Sequence, residues 1–153
     1  MVHLPLQLLA ELLSMPLWIT FALLSAASAA LVAILGKIGI KHLDSTLATT
    51  VRALIMALFL LVASILTGKI KLVGTIDATA LTFITLSGIA GATSWLFYFF
   101  ALKFGPASGV AALDRLSVVF VLMLAALFLG EALTWKSGAG AALITAGALL
   151  MTL

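Results

Sequence analysis

The sequence predicts an all-α integral membrane protein of five transmembrane helices. Composition carries the first part of that prediction: 65% of the 153 residues are hydrophobic and only 8% are charged, against about 45–50% apolar and about 25% charged in a soluble domain. The mean hydropathy of +1.37 is beyond what a water-soluble chain of this length hides in a core, and it excludes a disordered chain. Spacing carries the second part, because the few charged residues leave stretches long enough to cross a bilayer, which takes roughly 20 apolar residues. There is no cysteine, so disulfide frameworks, thiolate metal sites and cysteine nucleophiles are excluded. The net charge of +3 rests on only eight Lys and Arg, which reads as loop charge and not as a nucleic-acid footprint.

The first span is expected over 16–36, opened by Pro16 at a position where a missing N–H costs nothing. The second runs over 46–67 and stops at Gly68 before Lys69, with Arg52 inside its first turns. The third covers 78–102, and Gly105-Pro106 closes it with a tight turn. The fourth covers 107–129, contains the adjacent pair Asp114-Arg115 and ends at Gly130. The fifth covers 134–153, with Thr134 as its N-cap. Residues 1–15 form an amphipathic extension: His3, Gln7, Glu11 and Ser14 share one helix face and leucines fill the rest. Two readings stand side by side there, a short helix lying in the membrane interface and a stretch upstream of a natural start at Met15. Residues 16–153 make one five-helix membrane domain with no room for a soluble one.

Five spans place the two ends of the domain on opposite sides. Lys69, Lys71 and Lys136 fall on one side, and Lys37, Lys41 and Lys103 on the other. Arg52 and Arg115 lie nearer the second side. The excess of Lys and Arg that sets orientation is therefore small. Either the second side is cytoplasmic, or the chain inserts both ways up and pairs with an inverted copy.

Charges within a bilayer are costly and mark function by default. Arg52, Asp114 and Arg115 are the three that qualify. From about 1.5 Å of rise per residue, Arg52 lies roughly 9 Å and Asp114 roughly 12 Å inside the same face, so the two are expected to reach one another, while Arg115 points about 100° away from Asp114. A structural ion pair and a polar vestibule with surplus positive charge, suited to anionic or zwitterionic metabolites, are equally compatible with that placement. In the third span Ser87, Gly91, Ser94 and Tyr98 form a stripe that in lipid must face protein or water. Trp95 and Tyr98 beside it are cavity candidates, with Ser94 and Ser117 as neighbouring polar positions, whereas Phe97 and Phe100 read as interfacial packing. Gly138, Ala142 and Ala146 repeat at four-residue steps on the fifth span and read as a helix-packing stripe. No catalytic motif, phosphate loop or metal-ligand cluster is present in the sequence, so the expectation is no enzyme, no cofactor and no metal.

The segment LDRLSVVFVLMLAALFLGEALTWKSGAGAALITAGALLMTL resembles the end of an EamA-type repeat of the drug/metabolite transporter superfamily, through Gly130-Glu131 and the glycines at 138, 140 and 147. The run from Trp95 to Leu102 is similar to the third helix of that repeat, and Arg52 stands where such repeats often carry an arginine. The resemblance covers residues 16–153. It implies a multi-pass transporter of a prokaryotic inner membrane that moves a small organic metabolite by alternating access. Such proteins usually carry two repeats; this chain carries one, which implies a homodimer, in the antiparallel case an inverted one. The small multidrug resistance proteins of the superfamily work around a glutamate in the first helix. Residues 16–36 hold no acid, which argues against proton-coupled export of cationic drugs and leaves Asp114 as the intramembrane acid. A small-multidrug-resistance-like exporter and a non-transporting scaffold or accessory subunit are the alternatives. The partners expected are the lipid bilayer, the substrate and a second copy.

Overall fold

A computed structural model describes residues 16–153, so the amphipathic extension over 1–15 lies outside the described residues. All the regular structure among them is helical: α1 Leu17–Gly39, α2 Ser45–Leu66, a 3-10 segment Lys69–Thr75, α3 Ala78–Phe104, α4 Ala107–Asp114, α5 Ser117–Leu124 running into a π turn Ala125–Leu129, and α6 Trp135–Leu150. Four segments are long and apolar enough to cross a membrane: α1, α2, α3, and the stretch Ala107–Leu129 taken as one. They match the first four expected spans to within three residues at each end. The fifth expected span corresponds to α6, which has 16 residues and is about 24 Å long, short of the roughly 30 Å hydrocarbon core.

The helix ends follow local chemistry. Gly68 and Gly130 adopt φ of 70° and 68°, the left-handed geometry that glycine supplies without a Cβ penalty. Both end helices where the sequence places stops. Thr134 accepts from the Ser137 amide in a capping box. Two caps were not anticipated: Asp44 accepts from the Thr46 and Leu47 amides at 2.9 and 3.0 Å, and Asp77 accepts from the Ala80 amide at 2.7 Å.

The fourth expected span departs from a continuous helix. Beyond Asp114 the amides of Arg115 and Leu116 bond to the carbonyls of Ala112 and Leu113, an i→i−3 pattern that turns about 120° per residue where an α-helix turns about 100°. The intramembrane charge pair therefore stands at a break. A second irregularity follows in the π turn, where the Glu131 amide reaches back to Ala125 at 3.2 Å.

The chain divides into two compact units, one ending at Leu35 and the other Gly36–Leu153. In the described part of the first, α1 exposes Leu17, Trp18, Phe21 and Leu24, the surface expected of a helix solvated by lipid. In the second, α2 packs on α3, α3 on α4, and α6 on both α4 and α5. Its buried side chains include Ile40, Ser45, Phe99 and Leu102. Gly109 is the close approach between α4 and the end of α6: a Cβ there would lie 3.4 Å from Thr152 Cγ2.

Candidate functional site

A groove of about 670 Å³ runs along the α2–α3 contact, within the roughly 300–1,000 Å³ range of small-molecule sites. One wall is a face of α2, from Thr46, Thr49 and Thr50 past Arg52 to Met56 and Leu60. The other is a face of α3 made by Gly88, Gly91, Ala92 and Trp95. The helical period places these residues on facing stripes. Glycine and alanine keep the α3 wall thin, and a Cβ added at Gly88 or Gly91 would meet nothing within 4 Å.

Arg52 stands over the aromatic side of this site. Its Cζ is 3.7 Å from the Trp95 ring centroid and 5.6 Å from that of Phe99. Such a cation–π contact is worth roughly 2 kcal/mol where water is excluded. Stacking uses the face of the guanidinium and consumes none of its in-plane N–H donors, which are arranged for a carboxylate or another planar anion. No carboxylate among the described residues offsets the Arg52 charge. Arg52 therefore stacks on Trp95 instead of pairing with Asp114, and the expected cross-helix ion pair is replaced by an aromatic platform. The platform is braced edge-on: Trp95 and Tyr98 rings are 5.4 Å apart at 74°, and Trp95 and Phe99 are 6.3 Å apart at 62°. The threonine hydroxyls turn back on their own helices, Thr49 to Ser45 O at 2.7 Å, Thr50 to Thr46 O at 2.9 Å and Thr93 to Ile89 O at 2.9 Å. Their protons are spent, and their oxygens remain acceptors.

The remaining expected residues divide. Tyr98, edge-on to Trp95 at 5.4 Å, stands within electrostatic reach of both Asp114 and Arg115. Asp114 is partly buried, and Arg115 and Ser117 are exposed on either side of Leu116. Ser94 is exposed and does not line the groove. Of the stripe read from the sequence only Gly91 lines it, because the true wall is centred one position further along, on Gly88, Ala92 and Trp95. Gly138, Ala142 and Ala146 are exposed, while α6 turns Ala141 and Ala148 inward. Within the chain the packing face of α6 is therefore the neighbouring one. The sequence reading missed Thr46, Thr49, Thr50 and Met56, which an i, i+3, i+4 count outward from Arg52 would have found. It also missed Phe99 as the buried brace.

The sequence profile of the EamA-like transporter family matches residues 16–153. The chain belongs to the EamA-like transporter family. It is also 42% identical over 134 residues to a Sinorhizobium protein described as an uncharacterized transporter in the cobO 3' region, covering 88% of this chain and 95% of that one. No solved structure matches. The protein is thus a multi-pass membrane transporter of the drug/metabolite superfamily. In this EamA-like protein, the Arg52–Trp95 groove joins a cavity to a charge within the spans.

Proposed function

We propose that this protein moves a small organic anion or zwitterion across a prokaryotic inner membrane, with the Arg52–Trp95 groove as its binding site. The observation that carries the reading is the Arg52 guanidinium stacked 3.7 Å from the Trp95 centroid with no carboxylate among the described residues to offset it. A carboxylate substrate supplies the missing charge through charge-assisted hydrogen bonds. The threonine oxygens accept from an ammonium or hydroxyl of the same molecule. Asp114, Arg115 and Ser117, at a helix break of the kind that lines transporter sites, belong to the path beyond Tyr98.

In this reading α6 is a fifth, short crossing, accommodated by local thinning of the bilayer, and residues 16–153 act as one domain. Two copies form the transporter and alternate access by rocking around the groove. The exposed glycines and alanines of α6 and the open α2–α3 face are the surfaces a second copy would cover.

The test is a thermal-shift screen on the detergent-purified protein with carboxylates, amino acids and quaternary ammonium compounds, followed by uptake into proteoliposomes. Stabilisation by carboxylates or amino acids that is lost in Arg52→Gln is the expected result. Stabilisation by quaternary ammonium compounds alone, unaffected by Arg52→Gln, would overturn it. Single cysteines in the 38–45 and 69–76 loops, labelled from outside intact cells, decide the dimer's geometry: labelling of both loops indicates inverted copies.

A further inference from the structure

A second cavity, of about 500 Å³, lies at the opposite end of α3 from the Lys69–Thr75 segment, lined by Lys37, Ile38, Ile40, Lys41, Leu102 and Lys103. Its chemistry is two-sided. The floor is apolar and sealed, with Ile40 2% and Leu102 0% exposed. The rim carries three ammonium groups. Lys37 Nζ donates to the carbonyls of Leu102 and Gly105, the latter at 2.8 Å, and Lys103 Nζ donates to Leu43 O at 3.1 Å. These bonds satisfy carbonyls freed at the end of a helix. They also fix two positive charges at the cavity mouth and leave each ammonium with an unused donor. Lys41 has no such carbonyl anchor among the described residues and is exposed. Asp44, within electrostatic reach of Lys103, has its carboxylate engaged by the Thr46 and Leu47 amides; it balances one of the three charges. Flanking the lysines are bare apolar side chains, Ile38 and Phe104.

A basic mouth over an apolar floor, at the end of a spanning helix, coincides with the depth of lipid headgroups. A free anion would use the charges and gain nothing from Ile38, Leu102 and Phe104. A phospholipid uses both. We propose that this cavity holds the phosphate of an anionic phospholipid, with Lys41 and Lys103 as its charged contacts and the acyl chains running along Ile38 and Phe104. The site is separate from the α2–α3 groove and does not depend on what that groove carries.

Native mass spectrometry of the full chain in detergent, titrated with phosphatidylglycerol and with phosphatidylcholine of the same acyl chains, tests this. Phosphatidylglycerol is expected to bind several-fold tighter. Lys41→Gln is expected to weaken it about five-fold, the equivalent of about 1 kcal/mol per basic residue, and Lys103→Arg to keep it where Lys103→Gln loses it. Lys136→Gln, outside the cavity, is expected to change nothing. Lys41 bears no carbonyl bond, so its variant stays folded even if loss of the Lys103 anchor destabilises the chain. Equal binding of the two lipids overturns the proposal, as does an equal loss in Lys136→Gln. Displacement of phosphatidylglycerol by millimolar glycerol 3-phosphate also overturns it, in favour of a site for soluble phosphates.

Discussion

The two halves of the α2–α3 pair are built from similar apolar sequence and behave differently. At one end, the Ile40–Ser45 turn meets the last turns of α3, and Ile40, Ser45, Phe99 and Leu102 are all buried. Lysines tie the ends together through Leu43 O, Leu102 O and Gly105 O. At the other end, Gly88 and Gly91 face open space, and Leu58, Phe59, Leu81, Phe83 and Ile84 are exposed. Arg52 and Trp95 stand at the junction. The comparison teaches how a charge is held inside an apolar bundle. The sealed end fixes the aromatic platform from behind, and the open half leaves the guanidinium edge free for a ligand.

The sharpest way to break this comparison is to remove the brace. Phe99 is 4% exposed and Phe97, two residues earlier, is 67% exposed. Phe99→Ala is expected to cost about 3 kcal/mol, the low end for a buried phenylalanine, because lipid is a better solvent than water for what is exposed. Phe97→Ala is expected to cost little. Thermal unfolding in detergent reads both, and equal losses would mean that the end is not sealed.

The next test acts on the junction itself. Arg52→Gln is expected to weaken substrate binding by about 2 kcal/mol, the loss of a charge-assisted pair, or roughly 30-fold. Stability should change less, because Trp95 remains braced by Tyr98 and Phe99. Transport by Arg52→Gln equal to that of the unmodified protein in vesicles would remove the groove from the mechanism.

A pair of glycines separates the halves more finely. A Cβ at Gly36 would lie 3.3 Å from Phe99 Cζ and 3.4 Å from Leu102 Cδ1, whereas one at Gly91 meets nothing within 4 Å. Gly36→Val is expected to destabilise by about 1–2 kcal/mol through overpacking. Gly91→Val should leave unfolding unchanged and reduce transport by narrowing the groove. Reversal of that pattern in melting and uptake assays would invert the assignment of sealed and open halves.

How much of this was legible in the sequence follows from which forces act locally. The first four span positions were legible, because hydropathy over 20 residues is a property of the segment alone. The stops at Gly68 and Gly130 and the Thr134 cap were legible for the same reason. Arg52 and Trp95, both candidates from the sequence, line the groove, but their stacking was not legible: charge suggested an acidic partner, and an aromatic ring as counter-surface leaves no trace in charge spacing. Phase was the other loss. On α3 a step of one residue rotates a face by about 100°, and the groove wall of Gly88, Ala92 and Trp95 stands that far round from Ser87, Ser94 and Tyr98. On α6 the face buried within the chain is that of Ala141 and Ala148, and the Gly138, Ala142 and Ala146 stripe stays exposed. In an all-apolar helix both faces look alike, so only a partner settles which one packs. The break at Arg115 was hidden because nothing in the sequence there is a helix breaker.

The smallest expected effect concerns the cap that starts α2 at the sealed end. The Leu47 amide holds the Asp44 carboxyl below its ordinary range, slight desolvation opposes this, and the Thr46 amide and nearby Lys103 add to the lowering. A carboxyl depressed in the folded state stabilises that state fully above its unfolded value of about 3.9. The contribution declines as pH falls from there through the folded value, and it is gone below that. Unfolding temperature should therefore be insensitive to Asp44 between about pH 5 and 7. It should fall more steeply below about pH 4 in the unmodified protein than in Asp44→Asn, which keeps an acceptor oxygen for the Leu47 amide but has no proton to gain. Any acid loss shared by both variants belongs to other carboxyls. If the two melting curves run parallel from pH 6 to 3, Asp44 is not what anchors the sealed end, and the lysine–carbonyl bonds carry that role alone.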